Sequence, residues 1–225
     1  MKISLLCSCG LLIEEDGLKI AVDLPCADVP PFAPLSAEHR DAFSRSLPPF
    51  DGLTGIVFTH RHPDHYDRHL LRAFHEQHPE VPIFVPGMQT PDSVTLDWGA
   101  QIELRRVAHV PVAGYPPISQ FAYLIRLHGR LVYVTGDAEA DEAPHLAFLN
   151  DQIPDAAFYN GQFLNHPATR LLLTQHAAKS FIYHIPPDTE DVSGMRRKCD
   201  HAMQRYAQEL PNVTLLETYP TVIEL

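Results

Sequence analysis

Thr59-His60-Arg61-His62-Pro63-Asp64-His65 packs three imidazoles and one carboxylate into seven consecutive positions, directly after the apolar run Gly55-Ile56-Val57-Phe58. The run reads as a buried strand, and the polar cluster at its end decides how the chain is understood. In extended backbone alternate side chains project to one side, so His60 and His62 can both reach one cation. Pro63 presets the first turn of a helix and swings Asp64 and His65 back toward a second cation nearby. At this chain's own His and Asp frequencies an HxHxDH pattern arises by chance in roughly one such chain in 300, which sets it apart from a His-rich solvated turn.

Outward from that segment, short runs rich in Val, Ile, Leu, Phe and Tyr predict strands near residues 3–6, 11–14, 18–23, 55–59, 82–85, 103–108, 121–127, 131–135, 156–159, 181–184 and 213–217. Glu15-Asp16-Gly17 and His128-Gly129-Arg130 read as hairpin turns, where Gly accepts a positive φ. Helices are predicted after Pro63-Asp64, with Tyr66, Leu70, Ala73 and Phe74 on one face, from Pro167 to about Ala178, and from about Glu190 to Leu210. The Val192, Met195, Cys199, Ala202, Met203 and Tyr206 stripe of the last reads as core packing. Residues 24–52 hold Pro25, Pro30, Pro31, Pro34, Pro48 and Pro49, and read as a long excursion with one short helix near 37–46, of the kind that often covers a site. No repeat, low-complexity tract or interdomain linker interrupts residues 1–225, which read as a single α/β domain.

Composition bounds the function. The chain has 225 residues, enough for a full core without disulfide staples, and 17 Lys and Arg against 28 Asp and Glu give a formal charge of −11. That balance argues against a phosphate-gripping nucleic-acid surface. No apolar run approaches the roughly 18 residues a membrane span needs, and the stretch from Met1 lacks the basic region and cleavage site of a secretory leader, so the expected location is cytoplasmic. Cys7, Cys9, Cys26 and Cys199 form no CxxC pair, and Cys7 and Cys9, at alternate positions of an apparent strand, read as reduced packing thiols. Histidine, at 14 residues, is in excess, and its special uses are metal ligation and proton transfer.

With its HxHxDH motif at a strand-to-helix junction, the chain resembles the metallo-β-lactamase-fold metal-dependent hydrolases, and the resemblance covers nearly the whole chain. Leu18-Lys-Ile-Ala-Val-Asp23 looks like the opening meander of that family, ending in an Asp. Arg106-Val-Ala-His109, Tyr133-Val-Thr-Gly136-Asp137 and Phe181-Ile-Tyr-His184 match, in order, its later ligand-bearing strand ends. Around His109 the chain departs from the family, with Val-Pro-Val where small and hydroxyl residues are common.

The resemblance implies a four-layered αββα sandwich with mixed sheets. It also implies one metal held by His60, His62 and His109, a second by Asp64, His65 and His184, Asp137 bridging the two, and Asp23 holding a ligand imidazole by hydrogen bond. Imidazole and carboxylate ligands suit two zinc ions, and manganese or iron equally well. Such a pair, roughly 3.5–4 Å apart, shares a water, lowers its pKa toward about 7 and offers a bridging hydroxide as nucleophile, with Asp64 orienting it. The implied activity is hydrolysis of an ester, lactone, amide or phosphodiester bond of a small molecule. The alternatives are a mononuclear-iron redox enzyme on the same scaffold and a non-catalytic metal-binding module. His166 and Tyr115 are candidate substrate contacts, Phe32 and Phe50 candidate pocket walls, and the remaining histidines read mostly as surface residues.

Overall fold

The computed structural model describes residues 1–112 and 116–225. Two mixed sheets face each other. The first has the order β13 (Thr221–Glu224), β1 (Lys2–Leu5), β2 (Leu11–Glu15), β3 (Leu18–Val22), β4 (Gly55–Val57) and β5 (Ile83–Phe84). The second runs β12 (Val213–Leu215), β11 (Ser180–Tyr183), β10 (Ala156–Asn160), β9 (Arg130–Val134), β8 (Gln120–Leu127), β7 (Gln101–Val107) and β6 (Ser93–Asp97). The edges toward β6 and β13 pair antiparallel, whereas β3–β4–β5 and β9–β10–β11–β12 are parallel. The C-terminal ends of both parallel groups carry the polar residues of interest, as is usual in open α/β sheets.

Alternation explains the layering. In β8, Phe121, Tyr123, Ile125 and Leu127 face the first sheet, and Ala122 and Leu124 face outward. The same period of two puts Val132, Val134, Phe158, Phe181 and Tyr183 inside, with Tyr133, Tyr159 and Ile182 turned to the outer helices. Those helices are α3 (Glu142–Leu149), α4 (Pro167–Gln175) and α5 (Met195–Arg205), which supply Phe148, Leu172, Leu173 and Ala202 to that outer core. On the opposite side, α1 (Ala37–Ser44) and α2 (Arg68–Gln77) contribute Phe43, Leu71 and Phe74 to the core shared by both sheets. The result is the expected helix–sheet–sheet–helix stack.

Several expectations shift. The turn that begins at Pro63 does not itself enter a helix: the His65 and Tyr66 amides donate to the His62 carbonyl, and α2 begins only after Asp67, whose side chain caps it by accepting from the His69 and Leu70 amides. Ala73 is exposed, and Leu71 takes the buried place expected of it. The last helix is shorter than its apolar stripe, leaving Val192 exposed in the segment before it. Strands β6 and β13 and helix α3 were not expected. Cys7 and Cys9 lie in the loop after β1 and not on the strand. No helix among the described residues is long and apolar enough to cross a membrane.

His145 on α3 is buried, contrary to the surface role expected for it. Its Nδ1 accepts from the Tyr133 hydroxyl and its Nε2–H donates to the Glu139 carbonyl, and burial pushes its pKa down to about 4. An unfolded histidine takes its proton near 6.5, so between there and about 4 only the unfolded chain gains charge, and falling pH costs the fold about 3 kcal/mol. In a His145→Gln variant, denaturant unfolding measured across that window should lose less stability than the parent. Parallel pH profiles for the two proteins would contradict this assignment.

Candidate metal centre

Each candidate side chain leaves the end of a strand. Asp23 follows β3, His60 lies three residues past β4, His109 two past β7, Asp137 three past β9, and His184 directly follows β11. Asp23, Gly136 and His184 have positive φ values of 53°, 57° and 59°, a left-handed turn that ends each strand and aims a side chain across the sandwich. At Gly136 no other residue fits, because a Cβ would lie 2.7 Å from Thr59 Oγ1. The Asp137 loop is fastened to His109 by an isolated bridge between His109 and Ala138, with the Val110 amide donating to the Asp137 carbonyl at 2.9 Å. The Val-Pro-Val departure after His109 therefore leaves its placement intact.

These turns gather the side chains into two donor sets. Ligand atoms of His60, His62, His109 and Asp137 lie within 4.8 Å of one another, as do those of Asp64, His65, Asp137 and His184. Asp137 is common to both. Its Oδ2 faces His109 Nε2 at 3.9 Å, and its Oδ1 faces His65 Nε2 and His184 Nε2 at 3.5 and 3.4 Å. Asp64 Oδ2 closes the second set at 3.4 Å from His184 Nε2.

Hydrogen bonds from outside set the tautomers. The Thr59 hydroxyl donates to Asp23 Oδ2 at 2.8 Å, so it accepts from His60 Nδ1–H at 3.0 Å, which leaves His60 Nε2 as a lone pair. His65 Nδ1–H donates to Asp23 at 2.9 Å and His109 Nδ1–H to the Val110 carbonyl at 2.6 Å. Each of these imidazoles thus turns a bare Nε2 inward, and His62 turns Nδ1, 3.1 Å from His60 Nε2. His109 Nε2 and Asp137 Oδ1 are buried without a hydrogen-bond partner. Orphaned acceptors that converge on two points are what a pair of cations satisfies, so the residues fit the implied metals.

Electrostatics agree. Burial holds His60 well below the usual imidazole range, with the neighbouring His65 adding to the effect. Burial opposes charge on His65 and His184 too, but the Asp137 carboxylate outweighs it, raising His65 well above normal and His184 to about 9. For Asp137 the burial cost is likewise overcome by His184 and His65, which hold it well below the carboxylate range. Without cations, positive charge on the His65–His184 pair, whose Nε2 atoms lie 3.1 Å apart, balances the carboxylates, and metal uptake would displace it.

Beside the second set lies a cavity of about 600 Å³, walled by Phe32, Val110, Val112 and Met195 and reached by the polar groups of Gln162 and Lys198. The Phe32 ring sits 3.9 Å from that of His184, as a pocket wall would. Phe50 does not share that role: it is core, packed edge-on against Phe43 at 5.1 Å. His166 is exposed at the start of α4 and is not part of the cavity wall, whereas its neighbours Gln162 and Asn165 are. Tyr115 lies outside the described residues. Of the α5 residues read from sequence as core, Cys199 is buried in the outer core and also borders the cavity, whereas Met195 is half-buried, outside the core, and lines the cavity.

Asp23 accepts from His65 and from both the amide and hydroxyl of Thr59, so replacing one of its oxygens disturbs a ligand without removing it. An Asp23→Asn variant should lose about 10- to 100-fold in metal affinity, read by competition with a chromophoric chelator. Unchanged affinity would remove Asp23 from this role.

No protein-family model matches the chain, and no curated protein matches it. Solved structures do. The isothiocyanate hydrolase from Delia radicum gut bacteria superposes with a TM-score of 0.67 at 12% identity, covering 100% of this chain and 99% of that one. The metallo-β-lactamase fold protein YhfI from Bacillus subtilis gives 0.64 at 15% identity, covering 99% and 98%. CmlA, a diiron β-hydroxylase from Streptomyces venezuelae, gives 0.63 at 13% identity over 100% of this chain and 54% of its own. With its two facing mixed sheets, outer helices and strand-end cluster of His and Asp, the chain has the metallo-β-lactamase fold.

Proposed function

We propose that the chain is a single-domain, dinuclear zinc-dependent hydrolase of small molecules, with no nucleic-acid or membrane partner. The observation that carries this reading is Asp137, whose two oxygens address two separate donor sets. Held there, two divalent cations would lower the pKa of a shared water toward about 7 and polarise the oxygen of the scissile bond. Asp64, which lines the cavity, would orient that water by accepting a hydrogen bond from it. His60, His62 and His109 would hold one ion, and Asp64, His65 and His184 the other. Asp23 and Thr59 keep the imidazoles in the metal-binding tautomer.

The cavity suits a substrate with an apolar body against Phe32, Val110 and Met195 and a polar or anionic end toward Lys198. The net negative chain can accept an anion there because the charge seen by the reacting group is set by the bound ions. The all-nitrogen-and-oxygen donor set also suits iron, and the likeness to a diiron β-hydroxylase makes oxygen chemistry the second reading.

A panel of esters, lactones, amides, phosphodiesters and isothiocyanates, run separately with zinc, manganese and iron and beside an oxygen electrode, separates the two. Metal-dependent hydrolysis without oxygen uptake is expected, abolished by chelator and reduced at least about 100-fold in Asp64→Asn. Oxygen uptake with iron alone would shift the assignment to the second reading. No turnover of any kind, or an Asp64→Asn variant as active as the parent, would contradict the proposal.

A further inference from the structure

Behind the histidine centre lies a second cluster of metal-ligating atoms. Cys7 and Cys9 sit in the loop between β1 and β2, and Cys26 follows β3 just after Pro25. Strand pairing brings β1, β2 and β3 side by side, so both segments end at one place. All three thiols are buried, with relative exposures of 0%, 1% and 1%, and their sulfur atoms all lie within 4.8 Å of one another. Cys26 donates to Cys7 Sγ at 3.1 Å, and the Gly10 amide donates to the same sulfur at 3.2 Å. The Cys9 thiol donates to the Asp64 carbonyl at 2.9 Å.

We propose that Cys7, Cys9 and Cys26 form a trigonal thiolate site for a soft monovalent d¹⁰ cation, Cu(I), separate from the histidine centre. Three thiols in contact, with no imidazole or carboxylate in the group, make a soft donor set. Zinc in a structural site takes four ligands, and this cluster offers three, the number that suits Cu(I). Packing alone accounts poorly for the arrangement, because a buried cysteine that merely fills space has no reason to turn its sulfur onto two others. The fourth cysteine shows the contrast: Cys199 lies in the outer core, away from this cluster. The Gly10 amide points at Cys7 Sγ and would offset part of the negative charge that a bound thiolate brings there.

Uptake exchanges thiol protons, lost to solvent, for sulfur–metal bonds, with no change of oxidation state. Its consequence is mechanical. The Cys7–Cys9 loop also holds the hydrolytic centre, through Cys9 to the Asp64 carbonyl and through the Ser8 carbonyl, which accepts from the His184 amide at 2.8 Å. Loss of the Cys9 thiol proton frees the Asp64 carbonyl, so an ion in the thiol cluster acts on the centre through the Ser8 carbonyl and the backbone that carries His184.

The full chain, reduced and kept anaerobic, is titrated with Cu(I) against a chromophoric Cu(I) chelator, with thiolate-to-copper charge transfer monitored in the near ultraviolet. One equivalent is expected to be retained with that absorption by the parent, by Cys199→Ser and by His60→Ala/His62→Ala, and to be lost from Cys7→Ser/Cys26→Ser. Retention in the histidine variant keeps this result independent of the hydrolase reading. Failure of the parent to hold Cu(I) overturns the proposal even if the double cysteine variant does not fold. Equal retention by that variant overturns it too, as does an intact mass lower by two hydrogens, which would mark a Cys7–Cys26 disulfide.

Discussion

The carboxylate of Asp23, with no exposed surface, accepts from the Thr59 amide at 2.7 Å, the Thr59 hydroxyl at 2.8 Å and His65 Nδ1–H at 2.9 Å. These bonds join the end of β3 to both ends of the HxHxDH segment. A buried acceptor of this kind is costly unless every lone pair is used, and here three donors converge on it. The same bonds orient His60 through the Thr59 hydroxyl and His65 directly, one from each donor set. Both halves of the candidate centre thus depend on one side chain that reaches neither cation position.

A second constraint couples the two sheets. The Phe121 amide donates to the Thr59 carbonyl and the Tyr123 hydroxyl to the Phe58 carbonyl, so the segment leaving β4 is pinned onto β8. Asp137 and His184 come from the second sheet, and His60, His62, Asp64 and His65 from the first. The centre forms where the sandwich halves meet, and its rigidity is that of the core beneath it. The left-handed turns at Asp23 and His184 cost on the order of 1–3 kcal/mol each and are retained at the positions that aim a side chain into the site.

Much of this is legible in the sequence alone. Parallel, doubly buried strands such as β9, β10 and β11 are continuous apolar runs, and each leads into a segment that sequence reasoning singles out. What escapes does so for physical reasons. Strand β6 alternates exposed and half-buried positions, SVTLD, and has too little apolar signal to stand out. Helix α3 carries Pro144 in its first turn, where proline is tolerated although it reads as a breaker. Strand β13 is four residues long and forms only because β1 offers it an edge. His145 and Phe50 are misjudged because burial is a tertiary property: a His in a short helix and a Phe in a Pro-rich loop carry no local mark of where they point. The thiol cluster is hidden for the same reason, since Cys26 meets Cys7 and Cys9 only once β1, β2 and β3 pair.

The central claim is that one carboxylate, Asp137, joins two cation positions into a single centre. Electron paramagnetic resonance of the protein loaded with Mn(II), with elemental analysis of the same sample, tests it directly. The account predicts two ions per chain at the histidine centre and a spin-coupled spectrum that gives way to uncoupled or mononuclear Mn(II) in Asp137→Ala. One ion per chain, two uncoupled ions in the parent, or coupling that survives the loss of Asp137 would contradict it.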